Sequence, residues 1–354
     1  MTAKVTLCAC IGTLLLATTA LAHHPGGGGN SSGGGPIFTI PASTLEQGHY
    51  AVAFAYEYAR LGGVNDSDLI NAAAKHIHAH SIKTIESAVA SFAYGITNDL
   101  TVAVRAPVNR RTDIREGHHS HGPAGNTVDY RGDSTGFGDV TVLGQWRFLN
   151  NAVSGTQAAL LFGIKAPTGT TNLYDQNGEL FETEFQPGTG SWDVLAGAAF
   201  SQRFGEWSFD TNALYILAGN GAQSTNMGNR FLYNAAVSYR LFGASDNPRA
   251  ALAHAGHDHG ALPRKAPPRI QNPVAAWTVD AILEVNGEWH DKEKTNGVAD
   301  ENSGGNTVYV SPGIRLSYER YSSFVLVGIP VVNNLNGIQS EPRFRVISGM
   351  SFSF

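Results

Sequence analysis

Histidine is the residue type in this chain with the most chemistry to offer. Thirteen are present, and nine fall into three tracts: His76, His78 and His80; His118, His119 and His121; and His254, His257 and His259, with Asp258 inside the third. Neutral imidazole is a ligand for Zn, Cu and Ni. If the first tract is extended, spacing by two puts its three rings on one face. The third tract sets a carboxylate between two imidazoles. One reading is metal capture by these ten residues; the other is three solvated polar loops.

Catalytic patterns are scarce. Ser120 sits between two histidines in a loop, without a third group to orient a base. No Gly-x-Ser-x-Gly nucleophile elbow, set on a turn between a strand and a helix, is evident, and His-Glu-x-x-His and P-loop patterns are absent from the sequence. The carboxylates of Glu284 and Glu288 would share one face of a strand, which fits the lining of a cavity better than a hydrolase pair. The expectation is a protein that is not an enzyme and requires no cofactor, with Zn, Cu or Ni as ions the histidine loops could take.

The elements that must position these groups are strands. Apolar residues recur with period two nearly throughout: Trp277, Val279, Ala281, Leu283, Val285 and Trp289 alternate with Thr278, Asp280, Glu284, Asn286, Glu288 and His290. About twelve such segments occur, near 48–60, 82–95, 99–110, 135–149, 156–168, 187–203, 206–218, 229–242, 276–290, 305–319, 321–332 and 342–354. At roughly 12–16 residues they exceed ordinary globular strands and suit a tilted crossing of a bilayer. Short connections alternate with long ones at 61–80, 111–132, 169–184, 218–228, 291–304 and 333–341. The pattern predicts an all-β fold, an antiparallel transmembrane outer-membrane β-barrel over 46–354, with a Pro- and His-rich insertion at 243–275.

In such a barrel the aromatic faces meet lipid and the other faces line the lumen. That assigns Glu57, Arg105, Gln145, Arg147, Lys165, Asp193, Arg203, Asp210, Arg240, Asp280, Glu284, Glu288, Arg315 and Arg345 to the interior. Both signs are present, so neither a cation nor an anion filter is evident. The charges either pair and fill a narrow barrel or line a selective path.

The N-terminus reads as an address. Lys4 precedes an apolar run at 5–16, and Ala20-Leu21-Ala22 supplies a cleavage pattern, so residues 1–22 are expected to be a signal peptide. The two cysteines, Cys8 and Cys10, lie within it. Residues 23–45 begin HHPGGGG and are expected to be a flexible Gly/His-rich tether. The terminal Phe354, after alternating Met350 and Phe352, suits recognition by the barrel-assembly machinery. Charged residues make up 15% of the chain and its formal charge is −5, which argues against nucleic-acid partners. The expected partners are outer-membrane lipid, that machinery, and a small-molecule or metal cargo; the expected location is the bacterial outer membrane.

Four motifs carry a family resemblance: Gly136-Phe137-Gly138-Asp139, Gly163-Ile164-Lys165-Ala166-Pro167-Thr168-Gly169, Gln186-Pro187-Gly188-Thr189-Gly190-Ser191-Trp192-Asp193, and Ser311-Pro312-Gly313-Ile314-Arg315. Over most of 45–354 the chain resembles the outer-membrane family labelled "putative MetA-pathway of phenol degradation". The resemblance implies a channel or transporter-like barrel for small molecules, some hydrophobic or aromatic, and supplies no catalytic residues. The histidine-rich insertions depart from the family pattern and leave metal uptake, export or resistance as the alternative. The motifs themselves have a structural reading, as places where strands bend and loops fold inward.

Overall fold

Alternation of this length leaves each strand with one apolar face, and the chain resolves it by closing a single sheet. The structure, a computed structural model, describes residues 35–120, 125–243 and 277–354. Twelve antiparallel staves follow in order: β1 Tyr50–Gly62, β2 Thr84–Thr97, β3 Leu100–His118, β4 in two halves Thr127–Phe137 and Val140–Asn151, β5 Thr156–Ala166, β6 Asp193–Phe204, β7 Trp207–Leu217, β8 Arg230–Phe242, β9 Trp277–His290, β10 Gly305–Tyr318, β11 Tyr321–Leu335 and β12 Glu341–Ser353. Each pairs with its sequence neighbour, and β1 pairs with β12 from Ala51↔Ser353 to Gly62↔Glu341. Closure satisfies both edges of the sheet, the condition for backbone to cross lipid.

The outer face is apolar and banded. Tyr50, Trp146, Trp207, Tyr239, Trp277, Tyr318, Tyr321 and Phe354 are exposed around the end with short turns, and Phe231, Trp289 and Phe344 around the other. Tyr50 stacks on Phe354 with centroids 5.1 Å apart, across the seam. Leu160, Leu283, Val285, Ile314 and Val325 are exposed between the belts. Aromatics at two levels around an aliphatic band match the two interfaces of a bilayer. The short turns are tight: Gly205, at φ +61°, opens the two-residue link between Phe204 and Trp207, where a positive φ matches the strands' twist.

The predicted segments differ from the observed staves mainly at the long-loop end. Within 111–132, expected as a loop, residues up to His118 extend β3 and those from Thr127 open β4 as a paired hairpin arm, with Arg115 opposite Tyr130 and Gly117 opposite Val128. Beyond the bilayer both faces of a strand can be polar, so alternation no longer marks it. β4 breaks at Gly138-Asp139: its first half pairs with the outer part of β3 and its second with the inner part. The strand expected from 187 begins at Asp193, because 187–192 are drawn into a different structure described below. The loop at 61–80 contains a helix, α1 (Asp66–Ala74), whose Leu69, Ala72 and Ala73 are buried.

Of the tether expected at 23–45, the structure describes only 35–45, and that part is not free. From Gly35 onward the chain is instead inside the barrel, with Ile37, Thr39, Ile40, Ala42 and Leu45 all buried. The interior offers what such a segment needs. Leu143, Leu161, Leu195, Leu214 and Leu232 form an apolar wall inside the barrel, and Ile40 packs on it. Ile37 packs with Ile282, Phe324, Leu326 and Ile347. The expected signal peptide, the start of the tether and the insertion at 243–275, apart from Gly243, lie outside the described residues.

Candidate functional site

The lumen is the candidate site, and its central group is Glu284. This β9 carboxylate is fully buried. Its Oε1 accepts the backbone N–H groups of Ile37 (2.6 Å) and Phe38 (2.9 Å). Its Oε2 accepts Thr39 N–H (2.8 Å), the Thr39 hydroxyl (2.7 Å) and Asn286 Nδ2 (3.0 Å). Five donors compensate one buried charge, which is how a carboxylate is held without a cationic partner.

The rest of the segment is held in the same manner, by wall side chains bonding its backbone. Ile40 N–H donates to Asn212 Oδ1 (2.9 Å), Ala42 N–H to Ser201 Oγ (2.8 Å) and Leu45 N–H to Thr101 Oγ1 (2.8 Å). Gln145 Nε2 donates to the carbonyls of Pro41 and Ser43, and Arg315 to that of Pro36 (2.6 Å). A bare irregular segment could not be buried; these side chains replace the water its backbone loses. Gly313 leaves the space, since a Cβ there would stand 3.1 Å from Ile37 Cδ1 and 2.7 Å from Leu326 Cδ1.

Cavities flank the segment. A polar vestibule of about 1070 Å³ at the short-turn end is lined by Gly35, Leu45, Glu46, Arg147, Arg203, Arg240 and Asp280 among others. A chamber of about 220 Å³ toward the long loops is lined by Phe38, Leu61, His80, Arg230, Leu232, Glu288, Tyr309 and Arg345 among others. The segment therefore enters and leaves by the short-turn mouth, with Phe38 at its apex facing the chamber.

All the sequence-predicted lumen residues lie on the inner face, and most are already matched. Arg240 pairs with Asp280, and Glu288 with Arg230 at 2.5 Å. Lys165 meets Asp193 at 2.6 Å and Asp139 at 3.5 Å. Arg147 bonds Asp99 (2.9 Å) near the short-turn mouth. Asp210 accepts the hydroxyls of Ser201 and Ser208. Arg345 stands 4.0 Å from Glu57 and donates to Asn286 Oδ1 (2.8 Å). Its guanidinium also lies 4.3 Å from the ring centre of Phe38 and 4.1 Å from that of Tyr309. Arg105 and Arg203 complete the inner face, Arg105 beside the plugged segment and Arg203 at the vestibule.

The motifs converge in a knot at the long-loop end. Asp139, buried at the break in β4, accepts Gly169 N–H (2.9 Å), Thr189 N–H (2.8 Å) and the Thr189 hydroxyl (2.7 Å). Lys165 Nζ donates to Thr189 Oγ1 (2.7 Å). Gly169 and Gly188 touch backbone to backbone: a Cβ on either would stand 2.6 Å from the other's Cα. Gln186 ties the intervening loop, donating to the carbonyls of Leu173 and Phe181 and accepting Leu173 N–H. The loop 167–192 folds inward, and its Phe181 and Phe185 pack fully buried on Leu61, Ile82, Ile85 and Ile114. It covers the outer end of the chamber.

The histidine tracts do not form three-imidazole sites among the described residues. Within the first tract only His80 lies in a strand, a two-residue one in which it pairs with Glu116. His76 has a positive φ after α1, and its ring lies 4.1 Å from that of His119. His78 Nε2 lies 2.8 Å from Glu116 and 3.4 Å from Glu182. His80 faces Glu184 at 3.0 Å, and His118 faces Asp129 at 3.4 Å. Hydrogen bonds to Glu116 and Glu182 push His78 up to about 11. Burial pushes His80 down to about 4 and Glu184 up to about 8. His121, His254, His257, Asp258 and His259 lie outside the described residues.

Sequence reasoning missed the segment 36–47 as a lumen element, and Asn212, Ser201 and Thr101 as its holders. Short polar residues at inward positions are the only signal they leave. Asp139, Thr189 and Gln186 stand within the quoted motifs, but their mutual contact is not readable from them.

The family model described as "Putative MetA-pathway of phenol degradation" matches residues 83–260, half of the chain. Among solved structures, the chain is similar to the COG4313 outer membrane channel from Pseudomonas putida F1, with 15% identity and a TM-score of 0.53 over 88% of this chain and 98% of that one. The KdgM porin (8% identity, TM-score 0.36, 85% and 99% covered) and a Pseudomonas aeruginosa FadL homologue (10%, 0.36, 96% and 97%) also match. No curated protein matches the sequence. At these identities the first likeness shows the fold, an outer-membrane barrel, and the other two carry no argument.

Proposed function

Because this chain belongs to the outer-membrane barrel family described as "Putative MetA-pathway of phenol degradation", we propose that it is a passive channel for small molecules, closed at rest by its own residues 36–47. The observation that carries the reading is the five-donor clasp of Glu284 on the segment. The segment is bonded to the wall but is not a strand of it, and the barrel closes without it. Its removal would join the vestibule to the chamber.

The lining indicates the cargo. The chamber combines Phe38, Leu61, Leu232 and Tyr309 with Arg230 and Arg345, and at about 220 Å³ it lies below the usual range of ligand pockets. It suits a small molecule with an apolar or aromatic body. Flux requires no chemistry from the protein and no bound cofactor. The reading includes export by residues 1–22 with cleavage near Ala22, and assembly into the outer membrane through Phe354.

Passive conduction has a direct test in liposomes holding the refolded barrel. Entry of small neutral aromatic solutes is expected to be slow, to fall with solute size, and to reverse when the gradient is reversed. Flux that persists against a gradient would contradict the reading.

A further inference from the structure

The long-loop end carries a group of side chains that the channel does not use. His78, in the connection after α1, Glu116 on β3, and Glu182 in the inward loop place one donor atom each within 4.8 Å of the others. His78 Nε2 stands 2.8 Å from Glu116 Oε1 and 3.4 Å from Glu182 Oε1. We propose that these three side chains bind one divalent transition-metal ion, of the Zn, Ni or Cu class, with a further position open to water or an arriving ligand.

The donor set fits that chemistry. One imidazole with two carboxylates is a three-ligand site, and bonds of about 2.0–2.2 Å need the present donors to spread only slightly. The imidazole favours a borderline ion over Ca or Mg, which prefer all-oxygen shells. The ligands come from three separate segments, two of them tied to firm elements. Glu116 lies in a paired strand, and Asn302 Nδ2 donates to the His78 carbonyl at 2.8 Å. His78 and Glu182 are each about two-fifths exposed, so an ion reaches them from outside without entering the lumen.

The surroundings favour a cation further. Glu184, Glu293 and Asp300 add three carboxylates around the group. Arg131, 3.7 Å from Glu116, is shared with Asp175 at 3.0 Å and with Glu179. His80, more than nine-tenths buried, points Nδ1 at Glu184 Oε1 3.0 Å away but forms no hydrogen bond with it. An imidazole nitrogen buried without a hydrogen bond beside excess carboxylate is a second sign that this corner is built around positive charge. The other arrangement compatible with the distances is a protonated His78 bridging the two carboxylates, with no ion.

Titration calorimetry of the untagged, detergent-refolded full barrel separates the two, with ZnCl2 and NiCl2 alone as probes. The expected result is saturable binding of one ion per chain at micromolar concentration. Glu182→Gln and His78→Gln should each weaken it about tenfold or more, the range seen when ligand shells are disturbed. The triple variant His254→Gln, His257→Gln and His259→Gln should retain this binding. Heat-modifiable gel mobility reports folding, and Glu182→Gln, at an exposed position, serves if His78→Gln fails to fold. Absence of micromolar binding overturns the proposal, as does binding that survives Glu182→Gln or is abolished by the triple variant.

Discussion

Glu284→Gln is expected to raise the mean conductance of the barrel in planar bilayers by at least tenfold. The glutamine amide would present N–H donors where Thr39 N–H, the Thr39 hydroxyl and Asn286 now donate. Hydrogen bonds to a charged acceptor contribute about 1.5–3 kcal/mol each. Losing two of them shifts docking of the segment by about 3–6 kcal/mol, or about two to four orders of magnitude in its bound-to-free ratio. The free state is not penalised, because without the segment residue 284 is hydrated. Deleting 36–46 should open the barrel fully, and adding Glu284→Gln to the deletion should change nothing more. Residues that act only through one another show that non-additivity. A glutamine variant as silent as the parent, in a correctly folded barrel, would show that Glu284 does not hold the gate.

Asp139→Ala is expected to release the loop 167–192 and to destabilise the barrel by about 3–5 kcal/mol, the range for breaking a buried charged network. The substitution strands Gly169 N–H and Thr189 N–H away from water and leaves Lys165 with Asp193 as its only carboxylate partner within 4 Å among the described residues. Limited proteolysis should then cut within 170–184, where the parent is protected, and urea should unfold the variant at lower concentration. Lys165→Met alone leaves two buried carboxylates facing each other and should cost a comparable amount. Adding Asp193→Asn to it should recover part of the loss. A variant with the parent's protease resistance would mean the knot is incidental to the loop's position.

Much of this molecule is legible in its sequence because lipid imposes a strict alternation. The period of the run from Trp277 to His290 is enough to turn Glu284 and Asp280 inward, and both are inside. The alternation ends where the bilayer does. Over Arg110–Glu116 polar residues stand on both faces and Ile114 is the one apolar residue, so a true hairpin reads as a loop. Helix α1 is hidden for a similar reason, being short and embedded in a polar loop. The segment 36–47 escapes notice because the Gly-rich sequence before it sets the expectation of a tether, while its own Ile37, Ile40 and Leu45 are too few to signal burial. Backbone held by wall side chains has no sequence period. The histidines show the opposite failure: spacing by two in HIHAH implies one shared face, but a positive φ at His76 sends the three rings to different partners.

A reversible lock tests the central claim most directly. Ala42 N–H donates to Ser201 Oγ at 2.8 Å, and the only native cysteines are Cys8 and Cys10, so Ala42→Cys with Ser201→Cys places a cysteine pair between segment and wall. Single-channel recording of this double variant in the Glu284→Gln background is the measurement. Oxidation should abolish the raised conductance and reduction should restore it. A conductance indifferent to the state of that disulfide, once its formation is verified, would contradict a channel closed by its own N-terminal segment.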